Sequence, residues 1–459
     1  MSARRTAKLE PLVESENVRR AARALIQAVQ DEGAQQALTP KSYAQAIREL
    51  TRVRGHPLAY PMIASGLGRG ARVWLADGTQ KLDFAGGVGV LGLGHGEADL
   101  LETAVAAAAG DAVFQGHLMP GPEYLRLSRA LLRHVGSHLK HVWLSLSGAM
   151  ANENALKMIL QRHSPADHII AFDGCFHGRT LAMAQLTDRP AFRKGLPLRG
   201  GALYIPFFDP EREDSTERSL AALEAHLVRY PDAVAGMCFE LVQGEGGFHT
   251  APREFFAALM ERCQRAKIAV WVDEVQSFAR TGELYAYRTL DLEEYVDVVT
   301  VGKILQGSAV LFSKTYNPEP GLVAGTYAGS TVGMAVGARI IERLETEGYL
   351  GPDGRVAVLG RRIAKRFESL ERRLPHAVGP RSGVGAMQAF VPFDGSAEAA
   401  KAVLEATFEE GLVVIPTGAN PTKIRLLPPL NTTDEELEAC FTILEKAMRR
   451  VMENRERPC

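Results

Sequence analysis

The chain has 459 residues, 46% of them hydrophobic and 23% charged, with 53 basic against 54 acidic side chains and a formal net charge of -1. That length is enough for one large or two medium domains with a real core. The balanced charge excludes the basic excess on which nucleic-acid and membrane-surface binding rest. No window reaches the roughly eighteen apolar residues of a transmembrane helix, and the first residues lack the apolar core of a secretory signal. The cysteines at 175, 238, 263, 440 and 459 are odd in number, scattered and free of any C-x-x-C spacing, so neither a disulfide framework nor a zinc site is expected. The reading is a cytoplasmic protein with reduced thiols, no nucleic-acid partner and no membrane.

In chain order, residues 15–30 place Val18, Ala21, Ala22, Leu25, Ile26 and Val29 on one helical stripe. Thr39-Pro40 reads as an N-cap with proline in the first turn, opening a second helix to about Leu50. "ARVWLADGTQKLDF" reads as a hairpin turning at Asp77-Gly78. From about 100 to 310, apolar runs alternate with helical segments: "HVWLSLS", "HIIAFD", "AVAGMCFELV", "IAVWVDEV" and "VDVVTVG". That alternation predicts a parallel sheet covered by helices on both faces. After about 330 the texture changes to a long helix and then helices with short strands, "AMQAFVPF", "GLVVIPTG" and "KIRLLPPL". Thr432 or Thr433 caps a last helix with acids in its first turn and Arg449 and Arg450 near its end.

Chemistry is expected outside the carboxyl ends of the parallel strands. One strand ends at Ser147-Gly148-Ala149 and a helix begins, giving free backbone N–H groups suited to an anion. Another ends at Asp273, whose buried carboxylate needs a cationic or hydrogen-bonding partner. A third leads to Lys303, where desolvation would favour the free amine that a Schiff base requires. Lys314 competes but sits in "FSKTYNP", which reads as loop. Phosphate cradle, ring-nitrogen acid and aldehyde-capturing lysine together describe a pyridoxal phosphate site. "GGVGVLG" also contains G-x-G-x-x-G at Gly87, Gly89 and Gly92, a dinucleotide fingerprint; the distance from Gly92 to the next helix counts against it.

On these motifs the chain resembles, over nearly its whole length, the class III (ω-type) aminotransferases of the fold-type I pyridoxal phosphate enzymes. "SGAMANENALK" is similar to the family's SGAEANEAALK, "FHGRT" to YHGRT, "ELVQGEGG" to EPVQGEGG, and "DEVQSFARTG" to DEVQTGFGRTG. "GKILQGS" stands in the place of AKGLGGG and "GTYAGST" in that of STFGGNP. The resemblance implies an α/β fold: a large domain with a mostly parallel seven-stranded sheet between helices, and a smaller α+β domain from both chain ends. The segments implied are 1–75, the N-terminal helices joining the small domain; 76–335, the large cofactor-binding domain; and 336–459, the C-terminal part of the small domain.

It further implies that Lys303 carries the cofactor, Asp273 pairs with the ring nitrogen and Gln276 meets the ring hydroxyl. Phe176 would stack on the ring, Gly148 and Ala149 would hold the phosphate, and Thr326 would reach the phosphate of a neighbouring subunit in a homodimer with shared sites. Assembly beyond the dimer is left open. His177 is read as structural. Arg425 matches a carboxylate-binding arginine, and Glu245 a glutamate that covers it when the bound amine lacks an α-carboxylate. The implied reaction is ping-pong transamination from the terminal amine of an amino acid or diamine to a 2-oxo acid, with 2-oxoglutarate foremost. Ornithine, lysine, putrescine, 4-aminobutyrate and acetylornithine are open as donors. The alternatives are another class III chemistry (aminomutase or decarboxylating aminotransferase) and a non-catalytic binding protein of the same fold. Four features depart from the family: the "DEVQSFARTG" loop is one residue shorter, "ILQGS" is bulkier than its glycine-rich counterpart, Met150 replaces an acid, and Gly96-Glu97 replaces His-Pro. They bear on substrate range, and "ILQGS" is expected to narrow the way in.

Overall fold

Helices Glu16–Asp31 and Pro40–Arg54 open the computed structural model, which describes residues 12–31, 37–111, 118–198, 201–418 and 420–456. The second starts as its sequence predicts: Thr39 Oγ1 accepts the Ser42 N–H at 3.2 Å, and Gly55 ends it in the left-handed region at φ 76°. Strands β1 (Ala64–Arg69), β2 (Arg72–Leu75) and β3 (Gln80–Asp83) form an antiparallel meander. The β2–β3 hairpin turns through Asp77-Gly78, where Asp77 Oδ1 accepts the Thr79 N–H.

The central sheet holds β4 (Leu139–Ser145), β5 (His168–Phe172), β6 (Gly201–Ile205), β7 (Val234–Phe239), β8 (Ala269–Glu274), β9 (Val298–Val301) and β10 (Ser308–Ser313). They lie in the order β4-β10-β9-β8-β7-β5-β6. The links from β9 to β6 are parallel, whereas β10 runs antiparallel between β4 and β9. Every residue of β7 and β8 is buried, which is why both read as unbroken apolar runs rather than alternating ones. Phe312-Ser313, expected in a loop, ends β10, and Lys314 follows it into solvent.

Strands β11 (Val378–Val384), β12 (Met387–Pro392), β14 (Ile415–Thr417) and β15 (Lys423–Leu426) form a third, antiparallel sheet. The short β13 (Leu412–Val413) instead adds in parallel to β3, so one sheet takes strands from both ends of the chain. The last helix, Asp434–Glu456, is capped by Thr433 rather than Thr432. Thr433 Oγ1 accepts the Glu436 N–H at 3.1 Å and Glu436 Oε2 accepts the Thr433 N–H at 3.0 Å, a reciprocal capping box. Glu436 Oε1 also accepts the Ala71 N–H at 2.9 Å, which ties the last helix to the first hairpin.

This double duty predicts unequal costs. Thr433→Ala should lose about 1 kcal/mol, the usual size of a cap. Glu436→Ala should lose about 2–3 kcal/mol, because a buried backbone N–H is also left unpaired. Urea titration of both variants checks the ranking, and equal losses would show that the link to Ala71 contributes nothing.

Candidate active site

Adjacent residues of a strand face opposite ways, and the end of β8 uses this. Glu274 turns away from the cavity described below and accepts the Ala286 and Tyr287 N–H groups at 2.7 and 2.9 Å. Asp273 turns toward it. Its Oδ2 accepts from Asn152 Nδ2 and from His177 Nδ1, both at 2.8 Å, and its Oδ1 accepts the Val275 N–H at 3.0 Å. His177 is fully enclosed, so its part is to hold this carboxylate.

One strand over, β9 runs into Gly302 and Lys303. Lys303 has φ 49°, a left-handed conformation that costs a non-glycine residue about 1–2 kcal/mol. The turn is crowded: a Cβ on Gly302 would lie 2.8 Å from Ser308 Oγ and 3.7 Å from the Cα of Gly148. The lysine turn therefore packs directly on the start of helix Gly148–His163. Ser147 caps that helix through the Met150 N–H, and the first intrahelical bond belongs to Ala151, so the Gly148 and Ala149 N–H groups precede the helical ladder.

Between these elements lies a cavity of about 530 Å³. Lys303, Asp273, Gly148, Ala149, Phe176, Gln276 and Glu245 all line it. Burial first, and the Arg425 guanidinium second, push the Lys303 amine down to about 8. Arg425 stands just behind the lining, 3% exposed, on β15. Its Nη2 meets Glu245 Oε1 at 2.8 Å, and its Nη1 donates to the Gly244 carbonyl and to Gln276 Oε1. Burial pushes the Glu245 carboxyl up, but Arg425 and Lys303 outweigh it and hold the group below its ordinary range. Gln276 thus faces Arg425. Thr326 is exposed and is not among the residues lining the cavity.

Four further polar residues act here that the motifs did not single out. Asn152 bridges Asp273 and the His177 carbonyl. Glu240, buried at the end of β7, accepts the Phe176 N–H and the Gly244 N–H, and burial pushes it up to about 7. Arg179 lines the cavity from an exposed position and stacks on Phe192, 4.1 Å from the ring centre. Arg189 donates to the carbonyls of Glu245 and Gly418 and so anchors the loop that carries Glu245. The signals were faint: Asn152, Arg179 and Glu240 lie inside the quoted motifs, but the targets of Asn152 and Glu240 are distant in sequence. Among the departures, Glu97 is committed to an ion pair with Arg343 at 2.6 Å, and Met150 is exposed.

A family model for class III aminotransferases matches residues 51–448. The chain is 34% identical over 403 residues to 2-aminoadipate transaminase of Pseudomonas putida, covering 83% of this chain and 94% of that protein. It is 30% identical over 393 residues to acetylornithine aminotransferase of Thermosynechococcus vestitus, covering 83% and 91%. Its fold is similar to that of lysine aminotransferase from M. tuberculosis, with a TM-score of 0.79 at 23% identity over 88% of this chain and 99% of that one.

The lowered Lys303 amine gives a direct test. Trapping of Lys303 in cofactor-free protein by a small aldehyde and cyanoborohydride should rise with pH through a midpoint of about 8. An ordinary lysine would show about 10.4. Glu245→Gln removes a charge that favours the ammonium and should move the midpoint lower still. A midpoint near the ordinary value would show that the amine is not desolvated.

Proposed function

The chain belongs to the class III aminotransferases, which depend on pyridoxal phosphate, and on that footing we propose that it carries an amino group from the terminal amine of an amino acid or diamine to a 2-oxo acid, 2-oxoglutarate foremost. The residues present fit the cofactor. The Gly148 and Ala149 N–H groups at a helix start suit its phosphate. Phe176 and Val275 give the cavity apolar surface for a flat ring. Asp273 Oδ1 accepts a single N–H and keeps a lone pair for a protonated ring nitrogen. When bound, the cofactor supplies an aldehyde that takes up the amino group and a ring that accepts the electron pair left when the donor carbon loses its proton.

In this reading each side chain has one task. Asp273, held by His177 and Asn152, would offer a negative charge to the ring nitrogen. Lys303 carries the cofactor, then takes the proton from the donor carbon and returns it to the cofactor side, as general base and then acid. A lowered amine suits that work near neutral pH. Gln276 meets the ring hydroxyl.

The observation that carries the choice of substrate is the buried Glu245–Arg425 pair. Paired, Arg425 presents no charge to a donor whose amine-bearing carbon is a plain CH₂. With Glu245 displaced, its guanidinium fork is free for the α-carboxylate of the oxo acid. Arg179, at the opening, suits a carboxylate at the donor's far end. The reading keeps the homodimer, with Thr326 serving the partner's site. Its support is the exposed apolar side chains of Leu146, Met150 and Leu181, two of them on helices packed together beside the cavity.

The test is the visible spectrum of cofactor-loaded protein before and after each donor is added without oxo acid: ornithine, lysine, putrescine, 4-aminobutyrate, acetylornithine and 2-aminoadipate. A terminal-amine donor should bleach the band, and 2-oxoglutarate should restore it. Bleaching by 2-aminoadipate alone would move the assignment to the α-amine of a dicarboxylic amino acid. Lys303→Ala should lose both the bleaching and turnover. Glu245→Gln should slow the terminal-amine half-reaction about tenfold, the equivalent of ~1.4 kcal/mol, and leave the glutamate half-reaction much less changed.

A further inference from the structure

The glycine-rich stretch Gly86–Gly92 is not a dinucleotide turn. Gly86, Gly87, Val88 and Gly89 are successive left-handed residues, at φ 54°, 62°, 63° and 86°, and the next helix starts at Ala98. The loop sends Val90 to line the cavity. Three side chains from elsewhere pin it. Arg280 Nη2 donates to the Gly89 carbonyl at 3.0 Å. Ile304 packs so closely on Gly92 that a Cβ there would lie 2.0 Å from Ile304 Cγ1. Gln306 Nε2 donates to the Val90 carbonyl at 3.0 Å.

Gln306 is itself left-handed, at φ 56°. It stands where the resembling motif AKGLGGG has glycine, the residue suited to that conformation. Here a long side chain occupies the position and spans to the loop. Gln306 is exposed, Val90 is half-buried and both line the cavity, so they form its mouth. Lys303 lies at the enclosed end.

From this geometry we infer that Gln306 is a specificity-determining residue: its bond to Val90 holds the Gly86–Gly92 loop as a narrow rim that selects donors slender at the end away from the reacting amine. The inference rests on the proposed function, because it takes the donor's amine to Lys303. With the amine at the enclosed end, the far end of the donor points at Gln306 and Val90. A free amino acid such as ornithine passes the rim; the same chain with an acyl group on its far nitrogen meets it.

The test compares the loaded wild type with Gln306→Gly and Gln306→Glu. Glycine accepts the left-handed backbone and removes the side chain. Glutamate keeps the size but sets a carboxylate against the Val90 carbonyl, so both variants remove the Gln306 contact and loosen the loop at Val90. Hydrogen exchange of the 86–92 amides should quicken in both. The ratio of kcat/KM for acetylornithine over ornithine should rise at least about tenfold, within the range one pocket contact controls. Unchanged exchange overturns the inference, as does quickened exchange with a ratio that moves less than about twofold. If the wild type turns over no terminal-amine donor at all, the functional reading fails and takes the inference with it.

Discussion

A carboxylate buried under the floor of a cavity sets the terms for this site. Taking Asp273 out of water costs several kcal/mol unless its oxygens are satisfied. The chain meets that cost with three donors from three places: Asn152 on the helix after β4, His177 in the loop after β5, and the backbone of Val275. Each donor requires its own element to end at the same point in space. Parallel strands do this, because they deliver all their carboxyl ends to one edge. The architecture and the satisfaction of one acid are therefore the same constraint.

The opposite charge is managed differently. Lys303 and Arg425 are two cations near one small cavity, and the guanidinium helps drive the amine toward neutrality. Glu245 meets Arg425 directly and tempers that effect. The acid is thus poised between two cations, and whichever ligand group displaces it changes the field at Lys303 as well as the shape of the site. Glu240 lies behind this arrangement. Its two oxygens hold the Phe176 backbone and the residue just before Glu245, so Phe176 and Glu245 share one anchor.

Much of this was legible in the sequence because it rests on local patterns. Buried parallel strands must be continuous apolar runs, which located β5, β7, β8 and β9 and put Asp273 and Lys303 at their ends. The signal failed where the pattern is weak. β6, "GALYI", is half-buried at the sheet edge and does not stand out as a run. β10, "SAVLFS", is a buried apolar run, but it follows the lysine turn with no α-helix between it and β9 and runs against its neighbours, so the strand–helix alternation gives it no place. The partners of Asp273 were invisible for another reason: 121 residues separate it from Asn152 and 96 from His177, and periodicity carries no information over such distances. Gln276 shows the same limit: its motif implies a ring contact, but the bond that its Oε1 accepts from Arg425, 149 residues away, has no local signal.

The glycines of "GGVGVLG" show how one pattern serves unrelated ends. Spacing alone matches a phosphate-binding turn, but that turn needs a strand before it and a helix directly after. Here the glycines supply left-handed backbone. Their run is so consistent that Val88, a β-branched residue for which φ 63° is an outlier, is carried along with them. Such a conformation persists when its surroundings over-determine it. Arg280 is that surrounding in its starkest form: a fully buried guanidinium, its pKa pushed down to about 10 by burial, that donates to the carbonyls of Gly89 and Pro428. A buried cation is a costly way to hold a loop, and its placement makes sense where the position of that loop decides what reaches the lysine.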